Sequence, residues 1–330
     1  MSSNFHFNTL RRDKILTAVR EYISGTYNMF YQAYGGDSIL YYGETTITSA
    51  TGLQQGDPAG PALFSLTIDD ATKSLSAELN AWFLDDGTIG DVAEKVLEDL
   101  DRLLVVFPEL GAALNAGKCE LTLLNHTAEQ QAEVIQLFRR RLPTIKIIPA
   151  EELELLGSPL SDASVPRMLE DKQATIQRLC TRLEEIDAHP ALILLKNCFT
   201  MPKLMYVLRT STAYKFPESL KAIDESIRKS LTSITNVDIK DESWHQARLP
   251  VRHGGLGIRT SEHLAASAFL ASHFATEDLV ARILTPVNLD RRPDPEEALT
   301  CWRGRVPDAP LPLDKTKQKA WDEPVCTREY

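Results

Sequence analysis

Residues 82–87 read Trp-Phe-Leu-Asp-Asp-Gly, and the adjacent carboxylates Asp85 and Asp86 are the side chains of this chain best suited to chemistry. An apolar approach (Leu79, Ala81, Trp82) and an exit through Thr88 and Ile89 predict a β-hairpin with the two acids at its tip. Two carboxylates held that close repel each other unless a cation lies between them. A divalent ion such as Mg²⁺ meets the need, because it prefers hard oxygen ligands. Ions held this way clamp the attacking and leaving oxygens in phosphoryl transfer. Adjacent aspartates also occur as plain solvated acidic turns, so the flanking sequence has to decide.

The run before the hairpin is Gly52-Leu53-Gln54-Gln55-Gly56-Asp57-Pro58-Ala59-Gly60-Pro61. Gly56, Pro58 and Gly60 forbid regular structure and predict a tight loop. Pro61 suits the first turn of a helix, where its missing N–H is not needed. Leu63, Leu66, Leu75 and Leu79 then fall near one helical face, which predicts a helix over 61–80 of about five turns. A glycine-rich loop beside a metal site lets backbone approach a nucleotide or template closely. An ordinary strand-to-helix connector would carry the same glycines.

Together, Gln55-Gly56-Asp57-Pro58 and Phe83-Leu84-Asp85-Asp86, in this order and spacing, resemble the palm of a reverse transcriptase, most closely those of non-LTR retrotransposons. The resemblance implies an α+β fold: a palm of antiparallel sheet with helices, followed by an all-helical thumb-like region. It implies template-directed, metal-dependent nucleotidyl transfer that makes DNA on RNA. The implied partners are an RNA template, a DNA primer and deoxynucleotide triphosphates, and the implied cofactor is a pair of Mg²⁺ ions. By residue, it assigns Asp85 and Asp86 to metal binding and catalysis, and Gln55, Gly56 and Pro58 to substrate binding. Lys118, in Asn115-Ala116-Gly117-Lys118-Cys119-Glu120, resembles the family's lysine turn near the triphosphate, where a lysine can act as general acid toward the leaving pyrophosphate. A solvated lysine opening a strand over 118–124 is the other reading of that residue. Glu154–Leu160 resembles the hairpin that grips the primer. Trp244–Pro250 and His253–Arg259 resemble a segment after the thumb, where Gly254, Gly255 and Gly257 predict a tight backbone turn.

The start of the chain departs from the family. Phe7-Asn8-Thr9-Leu10-Arg11-Arg12-Asp13 resembles the end of the first palm motif, and Phe7 fits the aromatic that blocks a ribose 2′-hydroxyl. Five residues earlier, where the family has a metal-binding Asp, stands Ser2. Nothing before it corresponds to fingers, so the resemblance begins inside the palm. Two-metal transfer needs carboxylates from both facing strands, and a neutral hydroxyl is a poor Mg²⁺ ligand. The metal set is therefore expected to be incomplete and the chain inactive alone. The alternative is a non-catalytic nucleic-acid-binding remnant of such a polymerase.

The net charge of −10 runs against phosphate binding. Residues 167–230 nevertheless hold eleven basic and eight acidic side chains, in a stretch that reads as helical. A mildly basic helical face can contact a duplex backbone, and it can equally be an ordinary solvated face. The five cysteines, widely spaced, suit a reducing compartment, and with no secretory signal they place the chain inside the cell, in nucleus or cytoplasm. No apolar run of about 18 residues predicts a membrane span.

The elements that must position these residues read as follows. A helix pair or one broken helix is predicted over 8–34 with its interruption at Gly25, and a hairpin pairs Ser38–Tyr42 with Thr45–Ser49. A helix is predicted over 91–110, capped by Asp91. Strand 118–124, helix 127–141 and strands near 144–148 and 152–156 follow. Helices span 163–235, broken at His189-Pro190 and Phe216-Pro217, and another covers 261–274. Three regions result: a palm-like domain over 1–160, a helical thumb and post-thumb over 161–285, and a Pro-rich, mostly irregular tail over 286–330.

Overall fold

A computed structural model of the chain describes residues 2–3, 8–283 and 295–330. The fold is mixed α+β, mostly helical, with small antiparallel pairings. It divides into two compact units, Met1–Pro149 and Ala150–Tyr330, each with its own hydrophobic core. The boundary falls eleven residues before the one expected, so the hairpin at 154–159 belongs to the second unit.

In the first unit, β1 (Ser2–Ser3) precedes α1 (Arg12–Tyr22) and α2 (Tyr27–Tyr34), joined by a 3-10 turn at Gly25. β2 (Ser38–Tyr42) and β3 (Thr45–Ser49) form a separate two-stranded hairpin with Gly43 in the left-handed region. Then come α3 (Gly60–Lys73), β4 (Leu79–Phe83), β5 (Asp86–Gly90), α4 (Ala93–Leu110), β6 (Glu120–Leu121), α5 (Ala128–Arg141) and β7 (Lys146–Ile147). One five-stranded sheet runs in the order β4-β5-β1-β6-β7, antiparallel except for β6–β7. Leu63, Phe64, Leu100, Leu103, Phe107 and Phe138 fill the core of this unit.

Three local expectations change here. The helix expected over 61–80 stops at Lys73. The Asp99 carboxylate accepts from the Ser76 and Ala77 amides (2.9 and 2.8 Å) and from the Ser76 hydroxyl, so the chain turns and frees Leu79 to open β4. Asp91 is not the α4 cap. It takes the amides of Glu78 and Val92 and pairs with Lys95, pinning the hairpin base to the helix start. The strand expected over 118–124 shrinks to Glu120–Leu121.

The second unit begins with β8 (Glu154–Leu155) and β9 (Ser158–Pro159) and is otherwise helical. It contains α6 (Val165–Leu183), α7 (Ala188–Leu194), a π turn at Leu195–Phe199, α8 (Met201–Thr210), α9 (Pro217–Thr235), α10 (Asp241–Arg248), α11 (Ser261–Ile283), α12 (Glu296–Arg305) and α13 (Gln318–Glu329). Pro190 and Pro217 lie in first turns, where proline is tolerated. Ala188–Thr210 is apolar and long enough to cross a bilayer by length and composition alone, but Leu195, Leu204, Val207 and Leu208 are fully buried in this unit's core. The irregular tail expected over 286–330 is corrected by α12 and α13. Trp302 and Trp321 meet edge to face at 5.1 Å, and the Trp302 indole N–H donates to the Trp321 carbonyl. Burying two tryptophans outweighs the cost of Pro324 inside α13.

Candidate carboxylate site

β4 and β5 pair with Phe83 opposite Asp86, which leaves Leu84 and Asp85 as a two-residue turn. Asp85 thus sits in the turn and Asp86 is the first residue of the return strand. Two-residue hairpin loops need a left-handed residue, usually glycine or asparagine. Here Leu84 takes that place at φ +57°, a conformation that costs a leucine on the order of 1 kcal/mol and has to be held by its surroundings. What holds it is the strand pair. Trp82 turns toward the core, its ring edge-on to Phe107 at 5.9 Å and its indole N–H on the Asn80 side-chain oxygen at 2.7 Å. Gly87 lies directly opposite Trp82, and a Cβ there would come within 2.4 Å of the indole. The Asp-Asp-Gly order follows: the glycine makes room for the tryptophan that fixes the hairpin.

Asp85 and Asp86 are both half-buried. Burial first, and the Asp85 charge second, push the Asp86 carboxyl above its ordinary range, while the Lys118 charge pulls it down. The three residues expected to act together are thus within electrostatic reach of one another. Lys118 itself is exposed. It ends a turn in which Asn115 accepts the amides of Lys118 and Cys119 (2.9 and 3.0 Å), and that turn delivers the chain into β6. β1 lies between β5 and β6, with Ser2 in register with Thr88 and with Glu120. The residue that β1 brings beside the acidic hairpin is therefore a serine.

Gln55, Gly56 and Pro58 are exposed on a loop that a different set of contacts organises. Arg12, buried at the start of α1, donates to the Gly36 carbonyl (2.8 Å), the Ser49 hydroxyl (3.0 Å) and the Gly52 carbonyl (3.3 Å). Its guanidinium lies over the Tyr34 ring. The Tyr34 hydroxyl donates to Asp57, whose other oxygen accepts from the Ala59 amide at 2.8 Å. Burial, then Asp57, push the Tyr34 phenol up to about 12. Gly52, at φ +68°, runs so close to Asn8 that a Cβ would meet its backbone at 2.2 Å. The sequence reading missed Arg12, Tyr34 and Asp57 as organisers of this loop. Only a run of two arginines at a helix start marked them, and solvated helix starts carry the same run. No lysine or arginine occurs between Arg20 and Lys73, so helix α2, the β2–β3 hairpin and this loop carry no cationic side chain.

Phe7 lies outside the described residues. The hairpin at 154–159 is held within the second unit, by Tyr206 donating to the Leu156 carbonyl and Ser158 to the Thr210 hydroxyl. The glycine-rich segment after α10 gains a physical role. A Cβ at Gly255 would meet the Leu249 carbonyl at 2.1 Å, so the chain doubles back tightly. The turn then seats α13: Arg259 grips Asp322 through two bonds (2.6 and 2.7 Å), and His245 and His263 both reach Glu329. Glu329 is lowered in spite of its burial, chiefly by its bond to His263.

As a metal site the hairpin is short of ligands. Asp85 and Asp86 offer oxygen donors of the kind a hard divalent ion prefers. Among the described residues, though, no group of three or more His, Cys, Asp or Glu side chains is placed to hold a metal ion. No protein-family model matches the chain, and no characterised protein matches it at significant similarity.

Proposed function

We propose that the chain is a reverse-transcriptase-like polypeptide of a non-LTR retroelement, acting inside the cell and unable to polymerise by itself. One observation carries the reading: the Asp85–Asp86 turn stands in a sheet beside β1 and within charge reach of Lys118. That arrangement supports a palm in which Asp85 and Asp86 hold Mg²⁺, and Lys118 serves the triphosphate of the incoming nucleotide. Gln55, Gly56 and Pro58 then face the template, primer or nucleotide. The lack of a third carboxylate beside them among the described residues, with Ser2 on the neighbouring strand, supports inactivity, because transfer needs ligands from both strands. No chemical step is assigned to an ion pair that these residues do not complete.

The second reading, a non-catalytic nucleic-acid-binding remnant, draws on Arg178 and Arg182 on α6 and on Lys203 and Arg209 on α8, which stay exposed. It is weakened by four other basic residues of the stretch. Arg167, Lys215, Lys221 and Arg228 are all engaged in ion pairs with acidic neighbours.

The test is primer extension on an RNA template in Mg²⁺, run beside anisotropy titrations of the same primer–template. The expected result is no extension by the chain, and binding that Asp85→Asn leaves unchanged without metal. Extension abolished by Asp85→Asn would overturn the inactivity. A failure to bind the primer–template at low salt would overturn the family reading itself.

A further inference from the structure

Among the described residues, the β2–β3 hairpin is a two-stranded sheet with no third strand beside it. Such a hairpin is marginal alone in water. Its base is tied down, by Arg12 on Ser49 and by Gln54 on Ser38. Beyond the base it offers apolar side chains to solvent: Ile39 is 60% exposed, Leu40 51%, Tyr41 78%, Tyr42 79% and Ile47 51%. Edge strands are normally protected by lysine, proline or a bulge. Neither β2 nor β3 holds a charged residue or a proline, and their register is unbroken.

We propose that β2 is a homodimer edge, pairing antiparallel with β2 of a second copy of this chain across a two-fold axis through Leu40. This inference stands on the hairpin alone and goes beyond the polymerase reading. Three observations select the occupant. The absence of any lysine or arginine between Arg20 and Lys73 leaves no cation for a nucleic-acid phosphate on this face. An uncharged strand meets its own copy without like-charge repulsion, as a two-fold interface requires. In that register Ile39 of one copy faces Tyr41 of the other, an aromatic and β-branched pairing that sheets favour. β2 is the pairing edge rather than β3, because it carries four of the five exposed apolar side chains. With aromatic side chains of roughly 150–250 Å² each, the exposed parts of these residues come to roughly 600 Å² per copy. Side chains alternate between the two faces of a strand, so edge pairing covers part of this, and two copies bury less than roughly 1,200 Å², the size of a weak, concentration-dependent interface.

The experiment is sedimentation velocity on the full chain over a concentration series, with Leu40→Lys and, as a control on exposed helix α4, Val105→Lys. Leu40→Lys sets two ammonium groups against each other on the axis. The expected result is a concentration-dependent dimer, weakened at least tenfold by Leu40→Lys and unchanged by Val105→Lys. Hydrogen exchange on the unmodified protein gives a second measure that survives a misfolded variant: β2 amides should slow as concentration rises. A monomer at every concentration, or a dimer indifferent to Leu40→Lys, overturns the proposal. So does protection of β2 that appears only when a single-stranded oligonucleotide is added.

Discussion

At Asp86 the chemistry and the stability of the protein pull apart. Its carboxyl is raised by burial and by Asp85, so ionisation at neutral pH is paid for by the fold. Replacing Asp86 with Asn removes that repulsion and keeps the shape. Urea unfolding at pH 7 should show Asp86→Asn more stable than the unmodified chain by about 0.5 kcal/mol, a gain kept small by solvent screening of a half-exposed group. The gain should shrink as pH falls and the Asp86 carboxyl, raised above its ordinary range, takes up its proton. A destabilised Asp86→Asn would mean that the carboxylate makes a favourable contact in the fold. The acidic pair and its hairpin were legible in the sequence, because residue type and spacing carry them, whereas the role of Gly87 opposite Trp82 emerges from the strand pairing. Arg12, Tyr34 and Asp57 were not, since their roles depend on bonds between segments 20 to 40 residues apart.

Between elements, buried carboxylates act as caps for other segments. Asp224 on α9 accepts the amides of Ser261 and Glu262 and the Ser261 hydroxyl, closing the start of α11. Burial raises its carboxyl to about 6, against the pull of those donors and of the nearby His263 charge. A raised acid binds its proton more tightly when folded, so its contribution to stability is fullest below pH 4 and is lost as pH rises to about 6. Asp224→Asn can still accept from Ser261 but does not titrate. Measured by urea midpoints, the variant should gain on the unmodified protein as pH is raised from 4 to 7. A constant difference across that range would show that Asp224 does not titrate there. The same long-range capping explains where element boundaries escaped sequence reading. Leu75 and Leu79 continued a helical face, yet Asp99 ended α3 by capturing amides that periodicity cannot anticipate. The 38–49 hairpin, in contrast, was read to the residue, because Gly43 and the alternation on either side are local signals. Prolines misled at the tail: Pro295 sits at the α12 cap and Pro324 within α13, both overruled by tryptophan packing.

At the scale of the whole chain, two cores imply two cooperative units. Trp321 is fully buried, stacked on Phe274 at 5.8 Å and edge-on to Trp302. Trp321→Ala should cost the second unit about 3–5 kcal/mol. Followed by calorimetry, it should lower one transition and leave the other in place. A single transition that shifts as a whole would show the units to be thermodynamically one. The chain also offers a natural partition for proteolysis. Since no lysine or arginine lies between Arg20 and Lys73, trypsin must release the second helix, the exposed hairpin, the Gln55 loop and α3 as one peptide, Glu21–Lys73. Chymotrypsin instead meets Tyr41 and Tyr42, the most solvent-open aromatics of that peptide. The ratio of tryptic to chymotryptic nicking is therefore a label-free report on this hairpin: an edge that is covered loses its chymotryptic cut while its tryptic map stays unchanged.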